Sequence, residues 1–396
     1  GKTCNVHVDE HQRLLDFLHG LSMSSVKCGC REGDCGMCTV LIDGKPVRSC
    51  MLTAASAQGH EITTLEGLAD NGKLHPLQEA FVETDAIQCG FCTPGMIMRC
   101  KALLDSNPDP TAAEIRRALQ GNLCRCTGYQ PIFAAVQSAA AMLRQGITHI
   151  TRSRVAELNR FDAAQIGIPL RDRRIVAKAT GTLRFGDDHR VLNEQPALFG
   201  RILYSTEPAA DFTIDTADAA KMSGVRLILT ADDIPGDNRM GMIIDDQPVL
   251  ADGRVRSTGD PIAAVFAETE AAAEAARDAI RIEYTLREGV YSAEEALLPD
   301  APAVHAAGNL CHEARLRRGN PEAQLDDRQG ITVEEHFRVA PVDPGFLEPE
   351  SGFAWLDERG RIVIEMATQS AFDDRRQIAR ALAMDEQDII VRQLPM

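Results

Sequence analysis

The pattern of hydrophobic and polar positions first predicts a short α+β region over residues 1–72. The segment CNVHV (4–8) alternates like a strand, and residues 9–20 carry apolar side chains at helical spacing and end at Gly20. The segment GMCTVLIDGKPVRSC (36–50) has the form strand, Asp43-Gly44 turn, strand, which predicts a hairpin. One helix and several strands favour a small α+β fold.

Residues 73–146 change to helical periodicity. Helices are predicted over 75–85, 93–109, 109–122 and 130–146. Thr93 and Thr111 stand where N-caps are expected, and Glu114 follows Thr111 at capping-box spacing. Four helices in so short a stretch predict a small bundle.

Residues 147–175 are charged and irregular, and we expect a surface linker there. From residue 176 onward strands and helices alternate, which predicts a mixed α/β region. The strands are expected within 200–208, 211–216, 225–234, 260–267, 280–286, 331–339, 351–367 and 388–394, and the helices within 268–279 and 373–384.

Composition narrows the choice of partners and location. The 396 residues carry a net charge of −16, which disfavours nucleic acid and anionic membranes as partners. No stretch reaches the length of an apolar membrane span, and the first residues lack the apolar core of a signal peptide. The default expectation is a cytoplasmic protein.

Cysteine usage is the strongest chemical signal. Eleven of the twelve cysteines lie before residue 127, and such clustering in a long chain favours metal over disulfides. The first group has the spacing C-x4-C-x2-C with a fourth member further on, which is typical of a plant-type 2Fe–2S cluster. Its members are Cys30, Cys35, Cys38 and Cys50. A zinc site or a set of buried thiols is the alternative, although zinc more often uses paired C-x2-C units.

The second group consists of a C-x2-C pair and a C-x-C pair, each just before a predicted helix. Its members are Cys89, Cys92, Cys124 and Cys126. Thiolates at helix N-termini gain from the dipole and from free N–H groups, so two facing helices would bring four sulfurs together. Alone this pattern also suits zinc; beside a plant-type site it indicates a second 2Fe–2S cluster.

The motifs CREGDCGMCTVLIDGKPVRSC, AIQCGFCTPGMIM and GNLCRCTGYQPI resemble the iron–sulfur domains of the xanthine dehydrogenase/aldehyde oxidoreductase family of molybdenum hydroxylases. The resemblance continues after the linker, in segments similar to the opening of that family's molybdenum-binding subunit. It implies a multidomain α+β chain: a β-grasp ferredoxin-like domain (1–72), a four-helix 2Fe–2S domain (73–146), a linker (147–175) and a partial molybdopterin-binding domain (176–396).

The same resemblance implies the roles of the site residues. The first cysteine group would hold the distal cluster and the second the proximal cluster, while Gln88 and Cys126 match the residues that touch the pyranopterin. Electrons would leave molybdenum through Cys126 and the proximal cluster, reach the distal cluster, and pass to flavin or another acceptor. The substrate would be an aldehyde or an N-heterocycle, hydroxylated with oxygen from water.

Three departures from the family pattern shape the expected partners. The chain stops before the family's glycine-rich cofactor loop and catalytic glutamate, so we expect a second chain to complete the molybdenum domain unless this is a fragment. No FAD domain is visible, which places any flavin on another subunit. The segment VDPGFLEPES has Asp343, Pro344 and Gly345 where many members carry a histidine, so the substrate stays open, and Glu348 is either a pocket carboxylate or a structural one.

Two readings of the whole chain remain as alternatives. One is a non-catalytic iron–sulfur electron-transfer or scaffold subunit, and the other is a zinc-stapled interaction protein. Among the remaining cysteines, Cys28 is expected to be a spare thiol beside the first cluster, and Cys4 and Cys100 are expected in the core.

Overall fold

A computed structural model describes residues 3–151, 172–188, 197–326, 330–331 and 333–394. Most of the predicted linker, residues 152–171, lies outside these ranges. The chain forms two compact units: unit 1 comprises 1–194, 344–371 and 390–396, and unit 2 comprises 195–343 and 372–389. Unit 1 therefore takes residues from both ends of the chain.

Unit 1 begins with the hairpin that the sequence predicts. Strands β1 (Thr39–Ile42) and β2 (Lys45–Arg48) pair antiparallel, and β3 (Ile62–Thr63) pairs with the other edge of β1. Asp43 and Gly44 both have positive φ, 49° and 75°, as a type I′ turn requires. The cysteine loop that precedes β1 is thus fixed by a small sheet.

Two details of this region differ from the sequence predictions. Helix α1 (Leu14–Gly20) ends as predicted but begins later. Residues 4–8 contain no strand, and Cys4 is exposed, so its predicted place in the core is wrong. Alternation alone does not make a strand, because a strand also needs a neighbour to satisfy its backbone hydrogen bonds.

The four helices predicted in residues 73–146 are confirmed. They are α2 (Pro76–Glu83), α3 (Thr93–Ser106), α4 (Ala112–Ala118) and α5 (Gln130–Arg144). The capping box of α4 forms as expected: the Thr111 side chain accepts from the Glu114 N–H, and Glu114 bonds back to the Thr111 backbone. The predicted cap of α3 is wrong, since Cys92 is the N-cap and Thr93 is the first helical residue.

The last residue of the predicted linker and the residues after it complete the helical core. In helix α6 (Ile175–Thr180), Ile175 and Ala179 are buried in the same apolar cluster as the helices before the linker. The ring of Phe185 meets that of Phe91 edge-on, with centroids 5.4 Å apart and an interplanar angle of 87°. Unit 1 also holds the sheet of β12 (Gly352–Leu356), β13 (Ile362–Met366) and β14 (Ile389–Gln393), in that order, with β14 in unit 1 from residue 390 onward.

Unit 2 is the mixed α/β region. The strands are β4 (Phe199–Tyr204), β5 (Ala210–Asp215), β6 (Val225–Leu229), β7 (Arg239–Met240), β8 (Gln247–Pro248), β9 (Arg254–Val255), β10 (Pro261–Ala267) and β11 (Arg281–Leu286). They form sheets of the orders β4-β10-β6, β11-β5-β9 and β7-β8. The longer strands overlap the predicted segments, whereas the two-residue strands β7, β8 and β9 were not predicted. The helices are α7 (Glu270–Ala279), α8 (Ala293–Ala296), α9 (Pro321–Asp326) and α10 (Ala371–Leu382), the last of which belongs to unit 2 from residue 372 onward.

One strand predicted in unit 2 is wrong. In the described part of 331–339 the backbone has no strand pairing, and the apolar members of its alternating pattern are exposed. Ile331 is 96% exposed and Phe337 87% exposed. The side-chain pattern is that of a strand, but the described residues offer it no neighbouring strand.

Candidate metal centres

The first cysteine group converges on the loop before β1. Cys30 is the centre of this loop, because three backbone N–H groups point at its sulfur: those of Glu32 and Cys35 at 3.4 Å and that of Asp34 at 3.3 Å. The Cys30 N–H in turn lies 3.4 Å from the Cys35 sulfur. Such N–H bonds to sulfur are how a protein stabilises and tunes an iron–sulfur cluster.

The other two members close the group. Cys50 lies in a single 3-10 turn after β2, and its sulfur is a hydrogen-bond neighbour of Cys38 and an electrostatic neighbour of Cys30. Gly33 and Gly36 turn the loop with φ of 86° and 72°, which side-chain-bearing residues adopt only at a cost. The structure therefore brings the four predicted distal ligands together.

Electrostatics in this loop favours one thiolate and disfavours others. Burial opposes ionisation of Cys30, but the N–H bonds outweigh it and lower its pKa to about 7. Burial, together with nearby Cys38, raises the pKa of Cys50 to about 12. The pKa of Cys50 is raised in part because neighbouring thiolates repel one another. Thiolates are soft ligands, which iron–sulfur clusters prefer. The donor set thus fits a 2Fe–2S cluster.

The second group forms where the starts of α3 and α5 meet. The Cys126 thiol lies 3.6 Å from the Cys89 sulfur, and Cys92 hydrogen-bonds to Cys124. That bond, with further bonds from Thr127, lowers the pKa of Cys124 to about 5 against the effect of burial. Burial raises the pKa of Cys89 to about 11. The four predicted proximal ligands are also brought together.

The two cysteine loops are joined directly. The Leu123 N–H donates to the Cys35 carbonyl at 2.8 Å, which places a hydrogen bond between neighbours of both groups. Beside it the buried Asn122 amide donates to the Gly36 carbonyl at 2.9 Å and to Thr39 Oγ1 at 3.2 Å. Sequence reasoning missed Asn122, whose only signal is its place two residues before Cys124.

Gln88 and Cys126 lie at the exposed side of the second group. Both side chains are exposed, while the Gln88 carbonyl accepts a hydrogen bond from Lys178 at 2.6 Å. Arg125, between two proximal cysteines, donates to the Pro344 carbonyl at 2.6 Å. Lys178 is a further residue that sequence reasoning missed.

Two further candidate residues, Cys28 and Glu348, have contacts of their own in unit 1. Cys28 accepts a hydrogen bond from Arg31 Nε at 3.2 Å, and its role as a spare thiol stays a prediction. Glu348 is partly buried near the ion pair of Lys27 and Asp188, whose atoms are 2.5 Å apart. Burial raises the pKa of Glu348 to about 7.

Two kinds of feature are absent from the described part of the chain. No group of three or more His, Cys, Asp or Glu side chains there has the arrangement expected for a single metal ion; a 2Fe–2S cluster shares four thiolates between two iron atoms. Within the same ranges, no helix is long and apolar enough to cross a membrane.

Known protein families match along almost the whole chain. Residues 2–88 match a 2Fe-2S iron-sulfur cluster binding domain, and residues 64–137 match a [2Fe-2S] binding domain. Residues 180–288 match the aldehyde oxidase and xanthine dehydrogenase a/b hammerhead domain, and residues 278–396 match a molybdopterin cofactor-binding domain.

Individual relatives agree with these matches. Aldehyde oxidoreductase of Megalodesulfovibrio gigas is 32% identical over 99% of this chain and 44% of its own length. The nicotinate dehydrogenase small FeS subunit of Eubacterium barkeri is 52% identical over 35% of this chain and 89% of its own. The solved aldehyde oxidoreductase from Desulfovibrio gigas superposes with a TM-score of 0.89 at 32% identity, over 99% of this chain and 45% of that one. The chain thus spans less than half the length of the aldehyde oxidoreductases it matches.

Proposed function

Because the chain belongs to the xanthine dehydrogenase/aldehyde oxidoreductase family of molybdenum hydroxylases, we propose that it carries electrons from a molybdenum site through two 2Fe–2S clusters. The overall reaction is oxidative hydroxylation of an aldehyde or an N-heterocycle, in which water supplies the oxygen and two electrons and two protons are released. When bound, the molybdenum cofactor supplies the two-electron chemistry, and each iron–sulfur cluster accepts one electron at a time.

The observation that carries this proposal is the convergence of two separate sets of four thiols. Cys30, Cys35, Cys38 and Cys50 are proposed as the distal ligands, and Cys89, Cys92, Cys124 and Cys126 as the proximal ones. The two loops are in direct contact, because the Leu123 N–H donates to the Cys35 carbonyl at 2.8 Å. That proximity suits transfer of single electrons between neighbouring sites.

The chain's own residues would hold the clusters and shape their charge. The N–H groups around Cys30 favour the more negative, reduced form of a cluster there. Exposed Gln88 and Cys126 are proposed to face the pterin. We also assign a β-grasp ferredoxin-like fold to 1–72 and a four-helix fold to 73–146, while 147–175 as linker and 176–396 as part of the molybdopterin-binding domain stay predictions.

Further polypeptide is proposed to cover the exposed apolar side chains of unit 2. Leu316, Ile331 and Phe337 are 101%, 96% and 87% exposed. Large exposed apolar patches mark surfaces that another polypeptide covers. Polypeptide that completes the molybdenum domain, in a second chain or in a continuation of this one, would bury them. A cytoplasmic location stays a prediction from the sequence.

The test is metal and cofactor analysis of the chain together with the polypeptides that copurify with it. We expect four iron atoms, four acid-labile sulfides and visible iron–sulfur absorption per chain, with molybdenum and pterin in the assembly. Clusters without molybdenum in the assembly would instead identify an electron-transfer or scaffold subunit. A colourless, zinc-containing protein would refute both.

A pair of variants tests the ligand assignment. Cys124→Ser is expected to remove one of the two reduced-cluster signals in electron paramagnetic resonance and about half of the iron. Cys311→Ser is the matched control, because Cys311 is exposed and outside both groups. Equal iron content in the two variants contradicts the assignment of Cys124.

A further inference from the structure

A buried lysine from α6 reaches the loop of the second cysteine group. The Lys178 side chain is 4% exposed, and its Nζ donates to the Gln88 carbonyl at 2.6 Å and to Asp172 Oδ2 at 2.8 Å. A buried ammonium group is costly unless it is paired and hydrogen-bonded. Here one of its two partners is the backbone immediately before Cys89.

The aliphatic part of Lys178 supports the same loop. Gly90 has φ of 93°, and a Cβ at that position would lie 2.7 Å from both Cγ and Cδ of Lys178. The lysine therefore contacts the residue before Cys89 through its charge and the residue after Cys89 through its stem. Cys89 lies between these two contacts.

The lysine itself is held on a fixed support. The Ala179 carbonyl accepts a hydrogen bond from the buried Gln78 side chain of α2 at 3.2 Å. Asp172 also accepts from the Arg174 N–H at 2.9 Å, so the counter-ion of Lys178 is held in place as well. A side chain anchored in this way can define the position of the loop that it touches.

We propose that Lys178 is a positioning residue for the proximal cluster, holding the Gln88–Gly90 loop and placing a positive charge beside it. The inference rests on the proposed function, since it takes Cys89 as a cluster ligand. The bond to the Gln88 carbonyl fixes the backbone from which the exposed Gln88 side chain extends. The ammonium charge favours the reduced cluster, and without it the Asp172 carboxylate would oppose reduction.

The experiment compares the reduction potentials of both clusters in the purified assembly. Lys178→Met is expected to lower the proximal potential by about 59 mV, a tenfold change in a one-electron equilibrium, and to alter the proximal paramagnetic signal. The distal potential should stay unchanged. Lys178→Arg, which keeps the charge and donors, should restore most of the proximal potential. Lys221→Met is the matched control, because the Lys221 side chain is 76% exposed and lies in unit 2.

The outcomes separate this inference from the proposed function. Two clusters in the wild-type protein and an unchanged proximal potential in Lys178→Met overturn the positioning role alone. A wild-type protein without a second cluster overturns the proposed function, and this inference with it. If Lys178→Met does not accumulate, Lys178→Gln removes the charge while keeping a polar side chain, and the same comparison applies.

Discussion

The two cysteine loops approach each other closely at Gly36, and this contact yields a quantitative prediction. Gly36 has φ of 72°, and a Cβ there would lie 2.3 Å from the Gly121 carbonyl and 2.7 Å from Asn122 Nδ2. Both of those atoms belong to the segment that leads to Cys124. Gly36→Ala must therefore push the two loops apart.

The stability that Gly36→Ala is expected to lose has two parts. Left-handed backbone costs alanine about 1–2 kcal/mol. Displacing the hydrogen bonds from Asn122 to Gly36 and from Leu123 to Cys35 removes about 1 kcal/mol each. The sum of about 3–4 kcal/mol is a large part of the 5–15 kcal/mol that stabilises a typical domain.

Gly44→Ala is the matched control. Gly44 has a similar φ of 75° but no atom within 4 Å of a Cβ, so it should lose only the conformational part. The assay is denaturant unfolding followed by iron–sulfur absorption, with the iron content of each variant. We expect Gly36→Ala to lose about 2 kcal/mol more than Gly44→Ala. Equal losses in the two variants would show that the loops do not touch at Gly36.

Two further predictions concern individual side chains. Cys28→Ser should keep both cluster signals whereas Cys30→Ser loses the distal one; loss of the distal signal in both would make Cys28 a ligand. Because burial raises the pKa of Glu348 from 4.5 to about 7, the folded protein retains a proton that the unfolded chain releases, so stability should fall as pH rises through this window. The contribution of Glu348 to this slope is at most about 1.4 kcal/mol per pH unit. Unfolding curves measured between these two pH values should lose this contribution in Glu348→Gln, and an unchanged slope contradicts the raised pKa of Glu348.

Short-range sequence signals predicted much of the fold. The Asp43-Gly44 turn, the Thr111–Glu114 capping box and the four helices of residues 73–146 depend on neighbours within a few positions. The cysteine spacings likewise predicted which thiols come together. Such signals act locally, so the chain expresses them whatever surrounds it.

The sequence was a poorer guide to features that depend on residues far away along the chain. The alternating segments 4–8 and 331–339 have the side-chain pattern of strands, but pairing depends on what lies beside them. The contacts of Lys178 with Gln88 and of Asn122 with Gly36 join residues 90 and 86 positions apart. No local pattern marks a lysine or an asparagine for such contacts.

The packing of Phe185 on Phe91 has a consequence for how the chain is divided. These residues lie on opposite sides of the linker, yet they share one apolar core with Ile175 and Ala179. Because one chain carries both sides of this core, their association is intramolecular. If the chain were cut within 152–171, the same core would become a subunit interface, and its occupancy would depend on protein concentration.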